Sequence, residues 1–518
     1  MTAASHTIAA LEQEIVELRE EVASLRQTLA WFRKQIFGST SERRLMADPA
    51  EMGNLFGEAA AAGEEAEVEE VVRRKRRRKN RDGCVNEEGL RFDDTVPVKT
   101  IHVANPDADA IPEDERVKVG ERVTHRLAQE PGSWVVLRYV SETFKRRDTG
   151  EVMAAPASAA VLERSCADVS FLAGMIVDKL VWHLPLHRQH QRLQAAGITL
   201  SRASLTSWLL RTTALLEPIF EAQCRSVLES AVLAMDETSI KAGRTGPGKM
   251  RQAYFWPIFG DRNEIVFHYA PSREHRHVAA FLGDFSGTLL SDGYQGYEAY
   301  AKARGEAVVH ASCWSHARRE FVKIRDLDPV RCDEALDLIG GLYAEEEKIR
   351  NKKLAGREKL LWRREHSRPL VEAFWRWCDA MADDMTRPPQ DPLLKAIGYA
   401  RNHRSGLEVY LQDPDVEIDT NHLERCVRPI ALGRRNWMFC WTEAGAGAVG
   451  ILQSLVLTCR LHGIDPYTWL VDVLQRISVH PARDVAQLTP RLWKDRFAEG
   501  PMTSDVSRAV PAKVPQAA

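Results

Sequence analysis

Two short apolar runs that each end at an aspartate constrain the fold of this 518-residue chain most strongly. Val232–Met235 is followed at once by Asp236, and Thr288–Ser291 is followed by Asp292 and a glycine. Short apolar runs bounded in this way are typical of buried strands. A third acid, Glu424, lies in a segment with the pattern of a helix start. Carboxylates at strand ends and a helix start can converge, and converging carboxylates bind hard divalent cations.

Strand and helix patterns on both sides of the second aspartate predict an α/β core. Apolar alternation marks the strands, whereas turn residues or helical spacing separate them. The elements are strands at Gln252–Phe259, Glu264–Tyr269, Thr288–Ser291 and Ala307–Ala311, a hairpin turn at Gly260–Asn263, and helices over Arg273–Leu282 and from Trp314. The order strand, strand, strand, helix, strand, helix resembles a ribonuclease H-like fold. In that fold the first acid lies on strand one and the second follows strand four.

Each acid also has an ordinary structural interpretation. Asp before Gly, as at Asp292, is a common turn sequence because both residues favour turn conformations. Asp236 would serve equally to cap an element. Glu424 has Arg428 four positions later, which is the spacing of a surface ion pair on a helix. The occurrence of all three acids in this fold order favours one shared site.

Five segments carry a resemblance to a known family. They are Met235-Asp-Glu-Thr238, Ser291-Asp-Gly-Tyr-Gln-Gly-Tyr297, Cys313-Trp-Ser-His-Ala-Arg-Arg319, Asp419-Thr-Asn-His-Leu-Glu-Arg-Cys-Val-Arg-Pro-Ile-Ala-Leu-Gly-Arg-Arg-Asn-Trp437 and His462-Gly-Ile-Asp-Pro-Tyr-Thr-Trp-Leu470. Over nearly its whole length the chain resembles an insertion sequence 66 family transposase. The resemblance implies that the catalytic and metal-binding acids are Asp236, Asp292 and Glu424.

The resemblance also implies an activity. A DDE-type transposase of a bacterial insertion sequence cuts the ends of its element and joins the 3′-OH ends to target DNA. The expected cofactor is Mg²⁺, two ions per site, with Mn²⁺ as a substitute. Two such ions about 4 Å apart activate the attacking oxygen and stabilise the leaving oxygen of a phosphodiester. Two alternatives stay open: a catalytically silent DNA-binding relative, and a ribonuclease H-like nuclease without strand transfer.

Length, net charge, cysteine spacing and apolar runs together indicate the class of protein and how it could bind DNA. The length predicts about three domains, and the net charge of −2 means that DNA affinity must come from local patches. The nine cysteines show no C-x-x-C pair, which suits a reducing cytosol. No apolar run approaches the ~20 residues of a membrane span, and no signal region is evident. We expect a soluble, cytoplasmic, nucleoid-associated bacterial protein whose partners are terminal-repeat and target DNA, with small accessory proteins as further candidates.

Residues 8–46 are predicted to form a coiled coil. Their apolar residues alternate at spacings of four and three, with β-branched residues at one core position and leucines at the other, which favours a parallel dimer. The alternative is an amphipathic helix packed on its own domain. The seam comprises Leu11, Ile15, Leu18, Val22, Leu25, Leu29, Phe32 and Ile36.

Residues 47–82 are a charged linker with a basic block that has eight cations in nine positions. Such a block neutralises phosphates through counterion release, but phosphate contacts carry no sequence information. Preceding glutamates mask part of this charge, and a solvated linker is the alternative. The predicted DNA contacts in the block are Arg73, Arg74, Lys75, Arg76, Arg77 and Arg78.

Residues 83–153 have the pattern of a small β-rich module. In the resembled family this region commonly binds zinc through paired cysteines. Here only Cys84 is present, and His102 and His125 lie far from it in sequence. A tetrahedral site cannot be assembled from this spacing. We therefore interpret the module as a degenerate zinc finger and expect no structural zinc.

Residues 160–222 are predicted to be helical and to resemble a helix-turn-helix. Arg202, together with two serines, occupies the face that a recognition helix exposes to DNA. A plain helical bundle is the alternative, and the histidines at 183, 187 and 190 are interpreted as surface or phosphate-contacting residues. The predicted elements are helices at Val169–Leu180 and Leu186–Ala195, a turn at Gly197, and a third helix from Ser201–Ser204 toward Arg211.

The chain is thus predicted to be an α/β multidomain protein. The catalytic core comprises residues 228–320 and 415–445, interrupted by a helical insertion at residues 321–414 and followed by C-terminal helices at 446–480 and a flexible tail at 481–518. Arginines of the insertion are candidate phosphate contacts, with a solvated face as the alternative. They are Arg363, Arg364, Arg401 and Arg404.

Basic and aromatic residues near the second and third acids are predicted to contact DNA. Cations interleaved with aromatic rings suit a DNA end with an unstacked base. Cys313 and His316 have ligand-like spacing, but a helix-start cluster with a small buried cysteine is equally consistent. Asn421 is predicted to cap the helix that carries Glu424. The DNA contacts are His316, Arg318, Arg319, Arg425, Arg428, Arg434, Arg435 and Trp437.

Overall fold

A computed structural model describes residues 90–511 except 95, 131–132, 156–159, 247–248, 385–387, 389, 435, 437, 439 and 508–509. The predicted coiled coil, the linker with its basic block, Cys84, Arg435 and Trp437 lie outside the described residues. The chain divides into two compact units. The first contains the described residues up to Leu215, Tyr467–Leu488 and those from Asp495, and the second contains Leu216–Pro466 and Thr489–Lys494.

The regular elements of the described residues are numbered in chain order. The strands are β1 Arg91–Phe92, β2 Val98–Val103, β3 Arg116–Glu130, β4 Ser133–Arg146, β5 Val152–Ala154, β6 Ile198–Thr199, β7 Val232–Met235, β8 Thr238–Gly246, β9 Lys249–Gly260, β10 Glu264–Ala270, β11 Gly287–Ser291, β12 Val308–Ser312 and β13 Val510–Pro511. The helices are α1 Pro106–Asp109, α2 Val169–Leu180, α3 Leu186–Ala195, α4 Arg202–Leu228, α5 Arg276–Leu282, α6 Gln295–Arg304, α7 Trp314–Ile324, α8 Pro329–Lys352, α9 Gly356–Trp362, α10 Arg368–Ala382, α11 Pro392–Asn402, α12 Arg404–Glu408, α13 Asn421–Gly433, α14 Glu443–Leu461, α15 Pro466–Arg476 and α16 Pro490–Phe497.

The first unit contains a sheet in the order β13-β2-β4-β3, with β5 paired to β4. Strands β3 and β4 form a long antiparallel hairpin, and β2 runs parallel to β4. One face of the sheet buries Ala128, Leu137 and Tyr139 against Val506. Part of the segment that was predicted to be a flexible tail is regular structure instead: it contains α16, it buries Leu488, Trp493 and Val506, and β13 pairs with β2.

Helices α2 and α3 begin and end where the sequence predicts. Helix α4 was predicted to run only toward Arg211, but it continues to Leu228 because buried apolar residues recur at helical spacing. The prediction that His190 lies on the surface is wrong. This side chain is buried, and its Nε2 atom lies 2.9 Å from the carbonyl oxygen of Leu200.

The second unit contains a sheet in the order β10-β9-β7-β11-β12, with β8 paired to β9. Strand β9 runs antiparallel to β7 and β10, whereas β11 runs parallel to both β7 and β12. Strand β7 is buried along its whole length, as expected for the centre of a sheet covered on both faces. The hairpin turn at Gly260–Asn263 is confirmed, with Asn263 at a φ of 56°. Strand β8 was not predicted, because its sequence is polar and glycine-containing.

Helices cover both faces of this second sheet. Trp256 lies in a buried cluster with Val278 of α5 and Tyr297 of α6. Helix α14 packs on β10, where the Oγ of Ser454 accepts a hydrogen bond from the backbone N–H of Phe267 at 2.8 Å. Helix α14 is long and apolar enough to cross a membrane by length and composition, but most of its apolar stretch is buried. We therefore assign α14 to the core of the unit.

Candidate active site

The first two predicted acids leave the sheet at the same edge. Asp236 follows β7 and Asp292 follows β11, and these strands are parallel neighbours with Ala234 opposite Leu290. One oxygen each of Asp236, Glu237 and Asp292 lie within 4.8 Å of one another. The sheet thus brings together two aspartates that are far apart in sequence, and it adds a glutamate that the sequence analysis did not include.

Local hydrogen bonds orient the two aspartates. An Oδ1 atom of Asp236 accepts from the N–H of Glu237 at 2.7 Å, and that of Asp292 accepts from the N–H of Tyr294 at 2.9 Å. Asp292 therefore stabilises a turn, as in its structural alternative, and it also belongs to the acid cluster. Burial, followed by the charges of Glu237 and Asp292, raises the pKa of Asp236 to about 7. Concentrated negative charge of this kind favours binding of a cation.

Glu237 is the member of the acid cluster that sequence reasoning missed. Its side chain is 4% exposed. Tyr297 donates its hydroxyl to Oε2 at 2.6 Å, and Arg273 donates Nε to Oε1 at 2.7 Å. Burial raises the pKa of Glu237, while these hydrogen bonds oppose the shift. Strand alternation would point neighbouring side chains in opposite directions, but β7 ends at Met235, so Asp236 and Glu237 both reach the cluster.

The third predicted acid lines the same cavity. Glu424 lies in the first turn of α13, and its Oε1 accepts from the Nη2 of Arg319 at 3.3 Å, with the Nε2 of His316 at 3.9 Å. Its charge contributes to the raised pKa of Asp236. Glu424 stands outside the trio of described carboxylates with oxygens within 4.8 Å of one another. The cavity, about 680 Å³, is lined by the titratable residues Asp236, Glu237, Arg273, Asp292, His316, Arg319, Glu424, Arg425 and Arg428.

The segment before α13 is fixed by the start of α7. The backbone N–H of Trp314 donates to the carbonyl of Ile418 at 3.1 Å. Cys313 Sγ accepts from both the N–H and the hydroxyl of Thr420 at 3.4 Å. Cys313 is therefore a buried acceptor, as in the structural alternative for this residue, and burial raises the pKa of its thiol.

The prediction that Asn421 caps α13 is wrong. Thr420 occupies the cap position without a side-chain hydrogen bond, and Asn421 is the first helical residue. The N–H of Asn421 instead donates to Oδ1 of Asp419 at 3.0 Å. Asp419 thus takes over the orienting role because it lies one residue before the cap and reaches the free N–H of the first turn.

The predicted basic residues are distributed unequally. His316, Arg319, Arg425 and Arg428 line the cavity, whereas Arg318 is exposed elsewhere on α7 and Arg434 donates to the carbonyl of Ser239 at 2.9 Å. Burial and the charge of Arg319 lower the pKa of His316. Arg202 belongs to the first unit.

The arginines of the insertion behave differently from one another. The prediction that Arg363 contacts phosphate is wrong, because its side chain is 0% exposed and pairs with Glu346. Arg401 pairs with Asp379, and Arg404 pairs with Glu408 at 3.1 Å. Arg364 is exposed.

The donor atoms of the acid cluster suit a hard divalent metal ion. All three converging ligands are carboxylates, and carboxylate oxygens suit magnesium, calcium or manganese better than soft ions. Asp236 and Asp292 would hold such an ion. Glu237 lies beside them with its oxygens hydrogen-bonded to Arg273 and Tyr297, and Glu424 lies in the same cavity. The cluster therefore has the chemistry of a metal-dependent site.

Comparison with known proteins agrees with this chemistry. Residues 164–448 match the family described as Transposase IS66 family. Residues 454–491 match the IS66 C-terminal element, and residues 24–101 match the family described as Transposase C of IS166 homeodomain. These matches include both strand-end aspartates and Glu424, and they support transposase, insertion-sequence and DNA-binding roles.

Similar proteins occur in Sinorhizobium fredii. The uncharacterized protein y4hP is 32% identical over 400 residues, which cover 73% of this chain and 71% of the relative. The uncharacterized protein y4jD is 32% identical over 398 residues, which cover 73% of this chain and 76% of the relative. From the family matches and these relatives, the chain belongs to the IS66 family of transposases.

Proposed function

We propose that this protein is the transposase of a bacterial insertion sequence, which cuts the ends of its element and joins the 3′-OH ends to target DNA. The observation that carries the proposal is the convergence of three carboxylates within 4.8 Å. Glu424 and several arginines line the same cavity. Phosphodiester chemistry requires carboxylates that bind metal ions and cationic groups that bind the phosphates, and both lie in this cavity.

The topology of the second unit supports a ribonuclease H-like catalytic core. Central strand β7 has antiparallel β9 and β10 on one side and parallel β11 and β12 on the other. Along the chain, the strands follow one another as anticipated from sequence apart from the additional strand β8, with the first acid after the first anticipated strand and the second after the fourth. Active sites of parallel strands form at their carboxyl ends, which is where both aspartates lie.

The proposed cofactor is Mg²⁺, two ions per site, with Mn²⁺ as a substitute. Asp236 and Asp292 would hold one ion, and Asp236 with Glu424 the other. When bound, such ions activate the attacking oxygen and stabilise the leaving oxygen. To bind this second ion, the carboxylate of Glu424 must give up its hydrogen bond from Arg319. That pair is half exposed, so this loss costs little.

The proposed reaction has two displacements at phosphorus. First, a water molecule loses a proton as its oxygen bonds to the phosphorus at the element end, the bond from that phosphorus to the 3′ oxygen of the element breaks, and this 3′ oxygen gains a proton. Second, this 3′-hydroxyl loses its proton as its oxygen bonds to a phosphorus of target DNA, and the displaced 3′ oxygen of the target takes up a proton. The cavity arginines hold the phosphates during both steps.

The remaining regions are assigned supporting roles. We propose that residues 8–46 form a dimeric coiled coil, and that the basic block of residues 73–81 and the helices of residues 160–222 bind DNA. The degenerate module at residues 83–153 needs no zinc. The protein would act in the bacterial cytoplasm, at the nucleoid, with small accessory proteins as additional partners.

Replacement of the second aspartate tests the function. Purified Asp292→Asn protein should lose Mg²⁺-dependent cleavage of element-end DNA by at least about 10³-fold, with DNA affinity within a few-fold of wild type. Asp284→Asn is the matched control, because the Asp284 side chain is fully exposed. Retained cleavage by Asp292→Asn removes this residue from the site. A plasmid mobilisation assay distinguishes the alternatives: joined products indicate a transposase, cut ends alone a nuclease, and binding without cutting a silent relative.

A further inference from the structure

Arg273 is fixed in the wall of the active-site cavity, although nothing in its local sequence distinguishes it. It lies between β10 and α5. Its Nε donates to Oε1 of Glu237 at 2.7 Å, and its Nη2 donates to the same oxygen. The guanidinium stacks over the ring of Tyr294 at 4.5 Å, and the hydroxyl of Tyr294 donates to the carbonyl of Arg273 at 2.5 Å. The side chain and the backbone of Arg273 are therefore both held.

This arrangement leaves part of the guanidinium free. Glu237 uses only Oε1 for Arg273, because its Oε2 accepts the hydroxyl of the buried Tyr297 at 2.6 Å. Among the described residues, Nη1 of Arg273 has no hydrogen-bond acceptor. The side chain is 47% exposed and lines the cavity that contains Asp236 and Asp292. One edge of the guanidinium is thus anchored, and the other is available to a ligand.

We propose that Arg273 binds the DNA phosphate at which the strand is cut, and that Glu237 and Tyr294 are positioning residues for its guanidinium. The inference rests on the proposed function. Negative charge accumulates on the phosphate oxygens during displacement, and planar arginine donors match these oxygens. Arg273 also offsets the repulsion between the incoming phosphate and the acid cluster.

Arg273 differs from the other cavity arginines in its preorganisation. Arg319 is paired with Glu424, and Arg425 and Arg428 are exposed on α13. A donor that is already oriented needs no reorganisation when charge develops, which makes it more effective in catalysis than a mobile one. The other arginines are suited to holding flanking phosphates.

The test compares Arg273→Gln with Arg276→Gln in the full-length protein. Arg276 is the matched control, because it lies three positions later, is 68% exposed and pairs with Glu274 at 2.8 Å. Single-turnover cleavage of element-end DNA at saturating protein should fall about 10²-fold or more in Arg273→Gln, as for other lost preorganised donors. Arg276→Gln should stay within about twofold of wild type. The DNA Kd, the Mn²⁺ Kd and the Tm of Arg273→Gln should be close to those of wild type.

Further variants distinguish the phosphate contact made by Arg273 from the positioning of its guanidinium by Glu237. Arg273→Lys keeps the charge without the planar fork and should cleave at an intermediate rate. Glu237→Gln should lose less activity than Arg273→Gln, and the double variant should be no slower than Arg273→Gln alone, because both changes act through one guanidinium.

Three results would overturn parts of this account. Cleavage by Arg273→Gln at the wild-type rate overturns the inference alone. A rate loss that comes with weaker Mn²⁺ binding or a lowered Tm, in both the Gln and the Lys variant, makes Arg273 a structural partner of Glu237 instead. Wild-type protein that leaves element ends uncut with Mg²⁺ overturns the proposed function and this inference with it.

Discussion

Arg363 and Glu346 form an ion pair that is completely enclosed by the helical insertion. Two parallel hydrogen bonds join them, from Nε to Oε1 at 2.8 Å and from Nη2 to Oε2 at 2.9 Å. The remaining Nη1 donates to the carbonyls of Tyr410, Asp413 and Val416 at 2.6, 3.0 and 3.1 Å. The insertion is therefore tied to the segment that leads into α13 and its Glu424.

Removal of this arginine should destabilise the second unit strongly. Arg363→Met leaves Glu346 buried without a partner and three carbonyls without a donor, and loss of one partner of a buried pair costs about 3–5 kcal/mol. Denaturant unfolding of the purified protein measures the change. Arg364→Met, at the exposed neighbouring position, should change stability by less than about 0.5 kcal/mol. Equal effects of the two substitutions would contradict the buried role of Arg363.

A side chain at position 293 should disturb the second acid. A Cβ added to Gly293 would lie 2.6 Å from the hydroxyl oxygen and 2.9 Å from Cε2 of Tyr399, on helix α11. Gly293→Ala should therefore cost about 1–3 kcal/mol by overpacking and slow cleavage by displacing Asp292. The double variant Gly293→Ala, Tyr399→Ala should regain cleavage relative to Gly293→Ala. If it does not, the steric explanation fails.

A partly buried histidine should make stability depend on pH. Burial lowers the pKa of His268 to about 4, and its ring stacks on Phe281 at 4.6 Å. The unfolded state, with a pKa of about 6.5, binds the proton first as pH falls. Stability contributed by neutral His268 is thus present above pH 6.5 and lost between pH 6.5 and 4, by up to about 3 kcal/mol. His268→Gln should flatten this dependence, whereas His275→Gln, at an exposed position, should not.

Divalent metal should stabilise the protein through the acid cluster. Mn²⁺ at 100 times its Kd would add about 2.7 kcal/mol to folding stability, seen as a rise in Tm that EDTA reverses. Asp236→Asn should abolish most of this rise. Without metal, however, Asp236→Asn should be at least as stable as wild type, because it removes one of three mutually repelling carboxylates. A metal-induced rise of wild-type size in Asp236→Asn would place the ion elsewhere.

Local patterns were sufficient for much of the second unit. The limits of β7 are as predicted, and those of β10 and β11 differ by one residue, because short apolar runs between turn residues specify strands locally. The predicted strand ends also gave the positions of Asp236 and Asp292. Neighbouring parallel strands end at the same edge of a sheet, so the residues that follow them lie close together. Strand β8 was missed because its pairing with β9, not its own composition, makes it a strand.

By itself, the sequence determined the identity of the family, the order along the chain of the core strands other than β8, and the two aspartates that follow β7 and β11. Only the tertiary structure decided that Glu237 joins the cluster, that Arg273 holds it from 36 residues away, and that Arg363 is buried instead of facing DNA. The reason is physical. The hydrophobic periodicity of a segment reports which face is buried, whereas the partner of a charged side chain depends on which distant segments pack beside it.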